Sequence, residues 1–147
     1  MSPFPTPRTL PPRLERALAF WRDLIRARAP MPFWDDLSPA DMGDLRKDAF
    51  TLEVFDKPER FRFALVGESL EPAGARDLEG TFLGEGPLPA PFDYLLAQAS
   101  ATVEAAKPTL HRGPGATDQG RLLLPMWGDG RIGLLLGVVD PGRAAAS

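Results

Sequence analysis

The sequence predicts an α+β domain: a five-stranded antiparallel sheet with helices gathered over one face and an amphipathic helix at the N-terminus. Three observations predict it. Segments of alternating apolar and polar residues flank short polar turns, the signature of hairpins. Two stretches carry apolar residues at helical spacing and stop before prolines. Finally, 17 prolines and 14 glycines in 147 residues interrupt the chain too often for a long-helix bundle or coiled coil. With 44% hydrophobic and 25% charged residues the composition is that of an ordinary globular domain able to bury a core.

The elements follow in order. Five prolines fall within residues 1–12, which lack any periodic apolar face. This segment reads as a flexible tail, with a PxxP-type recognition motif as its functional alternative. Residues 13–29 read as a helix opened by Pro11 and Pro12. Leu14, Leu18, Trp21 and Ile25 form its apolar stripe, and Arg13, Arg16, Arg22 and Arg26 avoid that stripe. Such a helix packs on protein or, as a weaker rival, lies on a membrane as a peripheral adaptor. Residues 30–140 form the folded body, and 141–147 a second flexible tail.

Within the body, Met31 to Leu45 reads as a loop with one helical turn. Ser38 is its expected N-cap, Pro39 its first residue and Asp41 its first-turn acid. Phe50, Leu52 and Val54 alternate with polar residues, as do Phe61, Phe63 and Leu65 after a turn at Asp56-Lys57-Pro58-Glu59, so an antiparallel hairpin is expected. Residues 67–91 are rich in Gly, Pro and acids, with short helical possibilities at 70–75. Residues 92–106 form a helix with Phe92, Leu95, Leu96, Ala99 and Val103 on one face, ended before Pro108. Three strands follow at 109–112, 121–127 and 132–139, the last two joined through Asp129-Gly130.

Leu122-Leu123-Leu124 and Leu134-Leu135-Leu136 are apolar on successive residues, so both sheet faces there need a cover. The helix at 92–106 is one cover. The other is the N-terminal helix, or the same helix of a second subunit, which points to a dimer.

Composition excludes several chemistries. With no cysteine there is no disulfide, Cys-based zinc site, iron–sulfur cluster or thiol catalysis, and one histidine rules out a multi-histidine metal site within the chain. No run of about 18 apolar residues is present and the N-terminus lacks a signal-peptide core, so the expected location is the cytoplasm. Net charge is −3, unevenly placed: residues 1–34 carry six arginines against two acids, and the rest eleven basic residues against eighteen acids. An acidic body argues against nucleic acid as the partner.

The residues with chemistry to offer are few. His111 reads as a haem ligand or, more simply, as a half-exposed hydrogen-bonding histidine. Arg76-Asp77 offers a fork for a carboxylate or phosphate, or a pair that steadies a turn. Asp35, Asp36, Asp41, Asp44 and Asp48 lack calcium-loop spacing and read as capping and solvated carboxylates. Gly67-Glu68-Ser69-Leu70 lacks the second glycine of a nucleophile elbow, and neither Gly84-Glu85-Gly86-Pro87 nor Gly113-Pro114-Gly115 is a phosphate loop. No catalytic arrangement emerges. Trp34, in a proline-flanked loop, reads as a partner contact or a core plug, and Trp127 as core.

Several pieces in order carry a family likeness: Phe20-Trp21-Arg22-Asp23-Leu24, Pro32 through Asp36 to Ser38-Pro39-Ala40-Asp41, and Phe61-Arg62-Phe63-Ala64-Leu65-Val66-Gly67-Glu68-Ser69-Leu70. Gly74-Ala75-Arg76-Asp77-Leu78-Glu79-Gly80, His111-Arg112-Gly113, Leu124-Pro125-Met126 and Asp129-Gly130 follow. Together they resemble a compact PAS domain of the free-standing kind common in alphaproteobacteria, over residues 14–140. The proline-rich stretch 84–91 departs from that pattern, being more often helical in the family, and the strand at His111 is short.

The resemblance implies a PAS-like sensory and signalling module, not an enzyme. It implies a small ligand held between sheet and helices and a homodimer through the N-terminal helix, with Leu14, Leu18, Trp21 and Ile25 at the contact. Output would pass to a separate signalling protein. The pocket walls would be Phe50, Leu52, Val54, Phe61, Phe63, Leu65, Phe92, Leu96, His111, Leu122 and Leu124, a set that packed core explains equally well. Neither haem nor flavin is expected: flavin photochemistry at a reactive cysteine has no cysteine to use. The rival function is a hydrophobic-metabolite binding protein without a relay role.

Overall fold

The computed structural model describes residues 10–70, 78–84, 92–112 and 120–140. The proline-rich tail up to residue 9, Arg76-Asp77, the prolines at 87, 89 and 91, Gly113-Pro114-Gly115 and the C-terminal tail lie outside the described residues.

Five strands form one antiparallel sheet: β1 (Ala49–Phe55), β2 (Arg60–Val66), β3 (Thr109–Arg112), β4 (Gly120–Gly128) and β5 (Arg131–Asp140), in the order β2-β1-β5-β4-β3. Asp129 and Gly130 join β4 to β5 with φ of 55° and 79°. Two successive residues of positive φ match the twist of a tight hairpin, which is what the Asp-Gly pair predicts.

Two α-helices, α1 (Pro12–Asp23) and α2 (Leu95–Ala105), accompany the sheet, with 3₁₀ segments at Trp34–Asp36, Pro39–Asp48 and Glu68–Leu70. Both helices are shorter than expected. Beyond Asp23 the chain tightens, Leu24 N–H bonding to Trp21 O and Ile25 N–H to Arg22 O, so that it turns toward Pro32. There Pro32 O accepts a bond of 2.8 Å from Trp127 N–H. The start of α2 is set by Tyr94, whose φ of 60° cannot continue a helix upstream.

Cross-strand pairing sorts the side chains onto two faces. Phe50, Gly137, Leu123 and Thr109 stand in one row across the sheet; Leu65, Thr51, Leu136 and Leu124 stand in the next, facing the other way. The first face carries α2 and the Phe92 ring, which meets Phe50 at 5.4 Å and Phe63 at 5.2 Å in edge-to-face contacts. The second carries α1, with Leu14, Ala17, Leu18 and Trp21 buried. Of the two covers expected for this second face, the chain's own N-terminal helix is the one seated there. Uninterrupted apolar runs in β4 and β5 leave no polar face, and the chain's own N-terminal helix covers the second one.

One further piece was not expected. Residues 80–83 run alongside β2, with Gly80 N–H bonded to Phe63 O at 2.7 Å, Phe63 N–H to Thr81 O at 2.9 Å and Leu83 N–H to Phe61 O at 2.9 Å. This loop stretch, read as irregular from its glycines, occupies the outer edge of β2 and satisfies backbone groups a bare edge would leave open.

Candidate functional site

The pocket residues expected from the family likeness do not form one wall. Phe50, Leu52, Val54, Phe61 and Phe63 lie on the α2 face and are buried around Phe92. Leu122 and Leu124 lie on the opposite face beneath α1, and Leu65, by its pairing with Thr51, lies on that same face at the end of β2. The error is one of parity: in β4 it is Leu123 that shares the row of Phe50, and two residues flanking it in an apolar run must point the other way. Leu96 is 47% exposed on the outer side of α2.

The α2 face ends not in apolar wall but in a buried polar network, assembled around Arg121, which is only 2% exposed. Gln98, Thr102 and Thr109 are buried with it. The Arg121 Nε donates to Gln98 Oε1 at 2.7 Å, and its Nη1 donates to the backbone oxygen of Asp93 at 2.9 Å. The Gln98 amide donates to Arg121 O at 3.0 Å and to Thr109 Oγ1 at 3.1 Å. Thr102 and Thr109 hydroxyls share a bond of 2.6 Å, and Thr102 Oγ1 also donates to Gln98 O at 2.8 Å. Burial pushes the Arg121 guanidinium down to about 10, with Asp93 acting against it, so it stays cationic at neutral pH.

His111 stands directly across from Arg121 in the β3–β4 pairing, and its ring lies 5.8 Å from that of Tyr94, which is 72% exposed. Burial and the Arg121 charge hold the His111 imidazole below its ordinary value, Asp93 acting against them. Sequence reasoning singled out His111 but missed Arg121, Gln98, Thr102 and Thr109. A signal was present. Gln98 lies three residues after Leu95 and Thr102 four after Gln98, so polar residues occupy the helix stripe that apolar ones were expected to fill.

The N-terminal helix residues also have definite places. Leu14, Leu18 and Trp21 are buried against the chain's own sheet, Trp21 donating its indole N–H to Pro125 O at 2.9 Å, and Ile25 is half-buried beyond the helix end. The arginines on the rim of α1 meet the acidic segment that follows it. Arg13 pairs with Asp48 at 2.5 Å and with Asp44 at 3.5 Å, Arg16 with Asp44 at 2.5 Å, and Arg26 with Asp36. Three of the aspartates read as caps or solvated carboxylates are thus ion-pair partners of the N-terminal segment. Ser38 occupies the N-cap position but makes no capping bond. The uneven charge along the sequence is the two halves of this docking.

A hydrogen bond from Arg26 holds the Asp36 carboxyl below the usual carboxylate range, and one from Arg16 does the same to Asp44. A depressed carboxylate contributes above its unfolded value and loses that contribution as pH falls through the folded one. Amide exchange in α1, normalised for intrinsic rate, is therefore expected to be flat from neutral pH down to the ordinary aspartate range and to rise below it. Because these pairs are exposed, the effect is small and fades with salt.

Trp34 is 48% exposed and lies against Gly128, where an added Cβ would sit 2.1 Å from the indole. A cleft of about 700 Å³ lies where the Pro39–Asp48 segment meets the end of β2, lined by Arg46, Lys47, Leu65, Val66, Glu68 and Glu79 among others. It is mixed in charge and stands away from the α2 face. Among the described residues no helix is long and apolar enough to cross a membrane, and no cluster of three or more His, Asp or Glu is placed to hold a metal ion. No family model, no curated protein and no solved structure matches the chain.

Proposed function

We propose that this chain is a PAS-like sensory and signalling module, not a catalyst, working in the cytoplasm by contact with a separate signalling protein. The observation that carries the reading is the way α1 is attached. Four buried apolar residues and a rim of Arg–Asp pairs seat it on one face of the sheet, while α2 is tied to the other face by a separate polar network. The five-stranded antiparallel sheet is compatible with the PAS arrangement that the sequence pieces resemble.

On this reading, a helix held by an apolar seam and a rim of ion pairs is the element that moves between a seated and a released arrangement. A ligand or partner shifts the balance only through unequal affinity for the two. The homodimer proposed through Leu14, Leu18, Trp21 and Ile25 follows the same logic. These side chains are covered within the chain, so two copies join through them by exchanging α1, each helix seating on the other's sheet.

Light scattering coupled to native mass spectrometry tests the reading on the full chain. The expected result is a ligand-free dimer in exchange with monomer, together with partner capture that changes when Asp44→Arg breaks the rim pairs holding α1. A strictly monomeric protein whose partner binding ignores Asp44→Arg would sink the proposal. A small molecule retained at one per chain would favour the metabolite-binding function instead.

A further inference from the structure

His111 occupies a position where a second positive charge is costly. Arg121 faces it from β4, already buried and bonded to neutral groups of α2, the Gln98 amide and the Asp93 carbonyl. From the start of α2, Asp93 and Tyr94 face it, the Asp93 carboxylate being the single acid among these neighbours. Arg112, next on the strand, points to the opposite face by alternation. The turn that covers His111 is the start of α2. It has no side-chain cap at its N-terminus, it begins at a non-glycine residue with φ of 60°, and its Tyr94 side chain is exposed. Its ties to the sheet there include the Arg121 bond to Asp93 O and the contact of Tyr94 with His111, while Phe92 and Leu95 on either side are buried.

We propose that His111 is a proton-operated latch on α2: protonation of its imidazole loosens the first turn of the helix from the sheet. The cause is the partial loss of hydration at the half-buried imidazole together with like-charge repulsion from the buried Arg121. Relief comes by movement of the segment around Asp93 and Tyr94, which is exposed on its outer side. Arg121 cannot retreat with its own strand, because β4 is bonded on both edges. The rest of α2, held by Gln98 and Thr102, stays seated.

The direction follows from linkage. The imidazole is held below the ordinary histidine value of 6.5 while the turn is seated. The loose turn therefore takes up the proton more readily. Seating is favoured most above 6.5 and loses this contribution as pH falls through the seated-state value. Each unit separating the two values changes the ratio of loose to seated turn about tenfold. The latch operates whether or not the module relays a signal.

His111 is the one histidine of the sequence, so its imidazole gives a single proton-NMR titration in the full chain. Normalised amide exchange is followed over residues 93–98 and over β5 as an internal reference, between about pH 8 and pH 5. The expected result is an imidazole titrating below 6.5. Exchange over 93–98 then rises with the same midpoint, by about tenfold per unit of depression, while β5 stays constant. In His111→Gln, which keeps a polar side chain but does not titrate, that rise disappears. An imidazole titrating at or above 6.5, a flat exchange profile over 93–98, or a profile unchanged in His111→Gln overturns the proposal. Should the variant not fold, the wild-type midpoints decide: coincidence supports the latch and separation overturns it.

Discussion

Truncating Arg121 to alanine is expected to destabilise the fold by about 3 kcal/mol, read from chemical denaturation. The arginine is buried, and its loss strips partners from Gln98 Oε1 and Asp93 O while leaving a void between α2 and β4. The cost of the single change is mostly that of orphaned polar groups, not the net value of the guanidinium. Burying a cation is itself unfavourable, so replacing the network as a whole should behave differently. The combined variant Arg121→Met, Gln98→Leu, Thr109→Val is accordingly expected to recover most of the loss. If it proves as unstable as Arg121→Ala, the network stabilises the fold directly and the desolvation argument fails.

Gly137→Ala is expected to cost about 3 kcal/mol, although it adds one methyl group to a strand. An added Cβ would sit 2.2 Å from the Phe50 ring, which lies across Gly137 from the neighbouring strand. That ring has no room to yield, because Phe92 stands edge-on to it at 5.4 Å and Phe63 lies 6.0 Å away. Glycine at 137 is thus required by close approach, not by backbone conformation. A second change, Phe50→Leu, should relieve the clash, so that the pair is more stable than the sum of the single losses allows. Additive losses in a double-mutant cycle would show that the ring and the glycine do not share one space.

Both expectations concern places where reading the sequence stopped short for definite reasons. The strands were legible because alternation is local: Phe50, Leu52 and Val54, then Phe61, Phe63 and Leu65, announce a hairpin within a few residues of each other. The β4–β5 turn was legible because Asp-Gly suits two successive residues of positive φ. Which face each Leu of 122–124 serves was not legible, since an uninterrupted apolar run carries no parity and only the pairing with β5 assigns it. The pocket set mixed two faces for that reason. Nor was Arg121 legible as a buried group: charged side chains are almost never fully buried unless partnered, and its partners come from a helix more than twenty residues upstream.

The acidic segment shows the same limit from the other side. Charge counting separated a basic N-terminal stretch from an acidic body, and was silent on whether the two met. Asp36, Asp44 and Asp48 acquire their role only when the chain doubles back and sets Arg26, Arg16 and Arg13 beside them.

The α+β class, the five strands, the two amphipathic helices and the exclusion of cysteine chemistry could all be read before folding was considered. These depend on residue type and short-range period, and both are properties of the chain before it folds. It took the folded chain to show that Gly137 makes room for Phe50, that Leu122 and Leu124 face α1 while Leu123 faces α2, and that His111 and Arg121 share a row under α2. Those facts depend on which residues distant in sequence become neighbours. That is set by strand register and helix seating, where one residue of slip exchanges the two faces of a sheet.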